Sequence, residues 1–404
     1  MLNSVELFAG AGGLAMGVSL AGFESKAVVE WDKWACDTIR ENSANEFPIV
    51  NKWPLYEADV RDFDFGSLED KIDLVAGGPP CQPFSLGGKH RANQDVRDMF
   101  PVTVDAIRRL RPKAFIVENV RGLTRASFSN YFQYLLLQLS YPEMRQRHDE
   151  DTIDHLSRLE RVKTSGRRAG LTYEVVFRVV NAADYGVPQK RERVFIVGFR
   201  NNLGIKWSFP NETHSYEALL EEQWVTGSYW DRHQIPMKKR PSIGASLSNR
   251  IETIRKSNNR PKNSRMPWRT VRDGLVGLPE PSCPNSPFYN HKFQAGAKQY
   301  PGHTGSPLDL PAKALKAGVH GVPGGENMMV LSDGTVRYFT AREAARLQTF
   351  PDGYKFNGAW SEIMRQLGNA VPVRLAEIVA SSVAQKLILN EERSFKSTIQ
   401  RLAR

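Results

Sequence analysis

Apolar positions in the first half of the chain come in short unbroken runs, separated by stretches with helical spacing. "VELF", "KAVVEW", "DLVAGG", "AFIVENV", "VVFRVVNA" and "RVFIVGF" predict strands, and one more ends at "EADV". Between the first of them, "LAMGVSLAG" predicts a helix stopped at Gly22, and "DKWACDTIRENS" a helix with Asp32 near its start. Continuous apolar strands alternating with helices predict an α/β fold with a mostly parallel sheet covered by helices. In such a fold the loops at the strand carboxyl ends form the site.

The pattern changes twice. Between about Tyr141 and Gly170 it becomes charged, and "DEDTIDHLSRLERVK" puts Ile153, Leu156, Leu159 and Val162 on one helical face of a surface insertion. After Gly198 the alternation fades into Gly-, Pro- and aromatic-rich sequence with no βαβ unit, which predicts a smaller, irregular second domain. "TAREAARLQTF" and "NAVPVRLAEIVASSVAQKLILN" are helical again, and the second should return to the first domain. The expected segments are therefore 1–200, 201–336, 337–390 as a return to the first domain, and 391–404 as a tail.

Composition narrows the classes. A chain of 404 residues with 41% hydrophobic positions can bury a large core. Cys36, Cys81 and Cys283 make neither a disulfide framework nor a zinc-ligand spacing, which fits a reducing compartment. No signal peptide and no membrane-spanning run is expected. The formal charge of +11 suits a polyanionic partner. It concentrates in Met237 to Arg272, where Arg250, Arg255, Lys256, Arg260, Lys262, Arg265 and Arg269 are candidate nucleic-acid contacts beside the alternative of a solvated loop.

Two loops carry candidate chemistry. In "LFAGAGG", Gly10, Gly12 and Gly13 allow a tight turn and close ligand approach between strand and helix. Glu30 ends the second strand at the distance where an acid meets ribose hydroxyls, and Asp59 ends the third. A dinucleotide suits this arrangement. So does an adenosine ligand without pyrophosphate, with Asp59 near the adenine amine and Phe8 or Trp31 against the ring. In "GGPPCQPFS", the prolines exclude both a helix interior and a central strand, so Cys81 sits on a stiff turn just after a strand. That position suits a nucleophile and also an ordinary buried thiol.

"ELFAGAGG", "GGPPCQPFS", "ENV", "QKRER" and "RQLGNAVP" occur in this order. Together they resemble the motif set of the DNA (cytosine-5) methyltransferases, over roughly Val5 to Arg200 and Arg337 to Leu389. The resemblance implies a Rossmann-like S-adenosylmethionine-dependent methyltransferase domain with a smaller, irregular target-recognition domain. It implies a restriction-modification type of enzyme that methylates C5 of a specific cytosine in double-stranded DNA and releases S-adenosylhomocysteine.

By the same resemblance Cys81 would add to C6 of the cytosine. Glu118 would face N3 and the amine, and Arg193 would reach O2, with Arg191 and Gln189 in the same cluster. Alternation along a strand would also point Arg191 and Arg193 the same way. S-adenosylmethionine would lie against Phe8, Gly10, Gly12, Gly13, Glu30, Trp31, Asp59, Val60, Pro80, Asn369 and Val371. No metal is expected, because the methyl sulfonium is already activated. After Cys81, "FSLGGKHRANQDVRDMF" suits a mobile lid in which Ser85, Lys89, Arg91 and Arg97 would approach the DNA. A monomer in the bacterial cytoplasm, functionally paired with a restriction endonuclease and with no membrane contact, completes the expectation. A tRNA substrate, methylated by the same chemistry, is the alternative.

Overall fold

The computed structural model describes residues 1–80, 98–166, 170–257, 265–281, 287–317 and 327–402, with the backbone alone at 394 and 397–402. The chain divides into two compact units. One comprises Met1–Val180, Glu192–Pro210 and Leu375–Arg404, the other Asn181–Arg191 and Asn211–Arg374.

The first unit is built on a seven-stranded sheet. Its strands are β1 (Leu2–Leu7), β2 (Phe23–Glu30), β3 (Leu55–Glu57), β4 (Leu74–Gly77), β5 (Ala114–Val120), β6 (Tyr173–Asn181) and β7 (Glu192–Arg200), in the spatial order β3-β2-β1-β4-β5-β7-β6. Strands β1 to β5 are parallel to their neighbours, and β7 runs antiparallel to β5 with Glu118 opposite Phe195 and Val120 opposite Arg193. The apolar runs are buried, with Val5, Val29, Val75, Val117 and Ile196 in one cluster with Phe100, Ile107 and Leu110. The third strand stops at Glu57, so Asp59 lies two residues beyond it rather than at its end.

Helices α1 (Gly13–Leu20), α2 (Lys33–Ala44), α3 (Phe100–Leu110), α4 (Ser129–Ser140) and α5 (Thr152–Ser165) belong to this unit. Asp32 caps α2 by accepting from the Ala35 N–H at 3.0 Å. Gly17, inside α1, has a packing role. A Cβ there would lie 2.4 Å from Ala376 Cβ, so the helix approaches the C-terminal one closely. Helix α5 lies in the stretch expected as a surface insertion, and the helix itself is packed on α4. Leu159 packs with Tyr134 and Leu137 of α4, and Leu156 joins them. Ile153 does not share that face and is 72% exposed, while His155 is buried in its place. The Tyr134 hydroxyl lies 2.8 Å from His155 Nδ1, and His155 Nε2 lies 2.7 Å from the Met144 carbonyl. Such an arrangement makes Nε2–H the donor and gives Nδ1 the tyrosine proton.

The second unit is mostly irregular with short helices, as expected. It includes α6 (Ala245–Ser257), α7 (Ala341–Leu347) and α8 (Trp360–Asn369). Helices α7 and α8 pack on each other, so the chain stays in this unit as far as Arg374. The last helix, α9 (Val373–Leu402), continues through the residues expected as a tail.

Candidate active site

The turn after β1 is conformationally demanding. Phe8 (φ +55°), Gly10 (φ +55°) and Gly12 (φ +86°) all take left-handed backbone angles. The bend aims the Gly10 N–H at Glu30 Oε2, 2.6 Å away. Glu30 Oε1 accepts from the N–H groups of Trp31 (2.9 Å) and Asp32 (2.7 Å). Burial pushes the Glu30 carboxyl above the usual range, against the pull of these three N–H groups. Asp59 accepts from the Arg61 N–H at 2.9 Å and from its guanidinium, which holds Asp59 below the usual carboxylate range.

This donor and acceptor set fits S-adenosylmethionine. Glu30 Oε2 has one protein donor and can accept a ribose hydroxyl as well. A Cβ at Gly10 would meet nothing within 4 Å, so the turn leaves space above it. Trp31, 68% exposed, offers a free aromatic face next to Glu30. Phe8 packs against the core cluster while Val60 is part of it, so Val60 could meet a ligand only through its backbone. Gly13 begins α1, and Pro80 is half-buried at the last described position before Cys81.

At the carboxyl end of β5, Glu118 and Arg193 form a buried ion pair. Arg193 Nε lies 2.9 Å from Glu118 Oε1, with the two side chains 14% and 8% exposed. Burial pushes the Arg193 guanidinium down, and Glu118 opposes the shift. Arg193 Nη1 also donates to the Glu192 carbonyl at 2.8 Å, which fixes the fork. Glu118 lies against the backbone that leads to Cys81, since a Cβ on Gly78 would come within 3.3 Å of Glu118 Oε2. Asn119 ties the same two strand ends together. Its Nδ2 donates to the Pro79 carbonyl at 2.9 Å, and its Oδ1 accepts from the Val120 N–H at 2.8 Å. Gly77 is needed one step earlier, because a Cβ there would lie 2.9 Å from the Leu7 carbonyl oxygen. Cys81 itself lies outside the described residues, as do Ser85, Lys89, Arg91, Arg97, Arg260 and Lys262.

In the second unit Gln189 and Arg191 act on backbone. Strand β7 begins at Glu192, so the alternation expected for Arg191 and Arg193 does not apply. Arg191 is fully buried and donates to the carbonyls of Leu315 (2.8 Å), Gly368 (2.6 Å) and Ala370 (2.9 Å). Gln189 accepts from the Leu315 N–H at 3.0 Å and donates to Gln348 Oε1 and the Leu347 carbonyl, each at 3.3 Å. Gln348, which the sequence did not single out, donates in turn to the carbonyls of Leu367 and Ala370. These side chains hold the turn that carries Asn369, exposed at the end of α8, and Val371, buried beyond it.

Of the five described basic candidates of the second unit, three pair with acids. Arg250 pairs with Glu217 and lies 5.0 Å over the Tyr216 ring. Lys256 pairs with Glu252 and Arg265 with Glu212, each at 2.7 Å. Arg255 donates to the Trp224 carbonyl at 2.9 Å, and Arg269 makes a long contact of 3.4 Å with the Asp273 carbonyl. Among the described residues no His, Cys, Asp and Glu cluster could hold a metal ion, and no helix is long and apolar enough to cross a membrane.

Known proteins resemble this chain. The family model for C-5 cytosine-specific DNA methylase matches residues 2–141 and 152–385. The chain is 31% identical over 386 residues to the type II methyltransferase M.PspPI of Psychrobacter sp., spanning 95% of this chain and 79% of that one. It is 31% identical over 392 residues to the type II methyltransferase M.Eco47II of Escherichia coli, with the same coverage of 95% and 79%. Among solved structures, the S. pombe Dnmt2 methyltransferase superposes with a TM-score of 0.55 at 17% identity, over 96% of this chain and 98% of that one, a likeness of fold.

Proposed function

Because the chain belongs to the C-5 cytosine-specific DNA methylases and is a cytosine C5 methyltransferase dependent on S-adenosylmethionine, we propose that it methylates one specific cytosine in double-stranded DNA, with Cys81 as nucleophile and the target base turned out of the helix. The observation that carries the site assignment is the buried Arg193–Glu118 pair. It sits beside the glycine-proline turn that delivers Cys81, and Asn119 fixes the geometry of that turn.

Cytosine C5 is too weak a nucleophile to be methylated directly. The Cys81 thiolate adds to C6, breaks the C5–C6 double bond and places electron density on C5. Glu118, carrying a proton when the base is bound, donates it to N3 as negative charge develops there on thiolate addition, and its other oxygen accepts from the exocyclic amine. Arg193 holds the Glu118 carboxyl in place and presents its remaining N–H groups to the base oxygen O2. When bound, S-adenosylmethionine supplies an electrophilic methyl group. C5 then carries both the methyl group and its original hydrogen. Loss of that proton to a base, for which water suffices, restores the double bond and expels the Cys81 thiolate. Glu30 and Asp59 orient the donor, and Gln189, Arg191 and Gln348 hold the Asn369 turn.

The proposal extends to a monomer in the bacterial cytoplasm, on the nucleoid when DNA is bound, acting alongside a restriction endonuclease of the same specificity. Base-resolution conversion sequencing of unmethylated genomic DNA, after incubation with the protein and S-adenosylmethionine, tests the reaction. One short motif protected at a single cytosine is the expected result. No protected cytosine in DNA, together with methyl transfer to tRNA, would replace the substrate.

A further inference from the structure

Of the described cations that stand out by composition, Arg250, Lys256 and Arg265 pair with acids and Arg255 and Arg269 meet carbonyls, while Lys238 and Lys239 are exposed. A segment further along the same unit sets exposed lysines beside exposed rings. In "NHKFQAGAKQY" (290–300), Lys292, Phe293, Lys298 and Tyr300 are exposed, Phe293 by 53% and Tyr300 by 45%. Lys292 and Lys298 have no acidic partner among the described residues. Residues 292–299 also make no backbone–backbone hydrogen bond there, so their N–H groups are left to solvent or to a ligand.

The segment is nevertheless firmly mounted. Asn290 exchanges two hydrogen bonds with the Phe356 backbone, at 3.0 and 2.9 Å, and its carbonyl accepts from the Arg342 N–H at 3.0 Å. The fully buried Arg342 side chain reaches the Tyr289, Pro351 and Tyr354 carbonyls. His291, 3% exposed, is held between Thr340 Oγ1 (2.9 Å) and the Pro279 carbonyl (2.8 Å). At the far end Tyr300 and His303 close a turn, with exchanged backbone hydrogen bonds of 3.3 and 2.8 Å. A segment anchored at its start and closed by a local turn at its end displays, among the described residues, ammonium groups without acidic partners, backbone donors without backbone acceptors and exposed rings.

Those groups match one occupant. Phosphates accept from lysine and backbone N–H, and aromatic rings stack on or wedge between bases. We infer that residues 292–300 form a DNA-contacting strap, with Lys292 and Lys298 on phosphates and Phe293 against a base step; this rests on the DNA reading above.

The test measures binding of a mixed-sequence 30-base-pair duplex by fluorescence anisotropy across a salt series, with S-adenosylhomocysteine present. Each phosphate contact contributes about −0.9 to the slope of log K against log salt. Lys292→Gln with Lys298→Gln should therefore flatten the slope by about 2, and the paired cations Arg250→Gln with Lys256→Gln should leave it unchanged. Phe293→Ala should weaken binding at least about fivefold, the low end for one base-stacking contact. All these side chains are exposed, and matched far-ultraviolet circular dichroism checks the fold. Duplex binding with an unchanged slope in the Lys292/Lys298 variant overturns the strap and leaves the enzyme reading intact. If the unsubstituted protein methylates tRNA and binds no duplex, the DNA reading and the strap fall together.

Discussion

Removing one partner of the Glu118–Arg193 pair separates a catalytic role from a structural one. Both groups are nearly buried, so neither regains full hydration if its partner is lost. Glu118→Gln leaves the Arg193 guanidinium without a compensating charge, with a neutral amide oxygen and the Glu192 carbonyl as its acceptors among the described residues. Breaking such a pair from one side typically costs about 3–5 kcal/mol, and slight exposure at Arg193 places the expectation toward the lower figure. Arg193→Met should cost a similar amount. The double variant should recover much of the loss, because it leaves no uncompensated charge. Urea denaturation of the four proteins closes the cycle, with an expected coupling of about 2 kcal/mol or more. Kinetics then isolate the chemistry. Glu118→Gln should lower single-turnover methyl transfer by about 10²–10⁴-fold with DNA affinity nearly unchanged. A coupling near zero would refute the ion pair. A fall in DNA affinity as large as the fall in rate would refute the placement of Glu118 at the reacting base.

Cys81→Ser should abolish turnover while cofactor binding by calorimetry stays intact; normal turnover would remove the nucleophile assignment. Glu6, buried in β1, is pushed up to about 7, with burial outweighing its hydrogen bond from Ser4. A carboxyl raised on folding adds stability that is complete below its unfolded value and is lost as pH rises through about 7. Glu6→Gln should therefore gain up to about 3 kcal/mol relative to the parent between pH 5 and pH 8, by denaturation at both values. An equal effect at the two pH values would contradict a buried, unpaired carboxyl.

What was legible in the sequence was local. Gly10, Gly12 and the proline turn before Cys81 announce their conformation by residue type. Glu30 and Glu118 announce themselves by standing at the ends of apolar runs. The sheet followed from those runs, although β3 proved shorter than "EADV" suggested, because the chain leaves the sheet after Glu57. Less was legible where the partner is distant. Arg191 and Arg193 are two residues apart with the same side chain, yet one caps three carbonyls and the other neutralises a carboxylate. No periodicity separates them, since the difference depends on where residues 315, 368 and 370 fold back. Gln348 was invisible for the same reason, because its partners, the Leu367 and Ala370 carbonyls and the Gln189 side chain, are distant in sequence.

Charge shows the limit most clearly. A count of Lys and Arg picks out 237–272, but Glu212, Glu217 and Glu252 already hold Arg265, Arg250 and Lys256. A paired cation must give up its acid before it can take a phosphate, and the exchange returns little net attraction. An unpaired lysine has no acid to give up, and its contact with a phosphate releases counterions condensed on the DNA. By that criterion Lys292 and Lys298 outrank Arg250, Lys256 and Arg265, even though they stand in a part of the sequence with fewer charges. Local charge density therefore does not by itself rank the candidate cations; whether the fold gives each of them an acid must be counted as well.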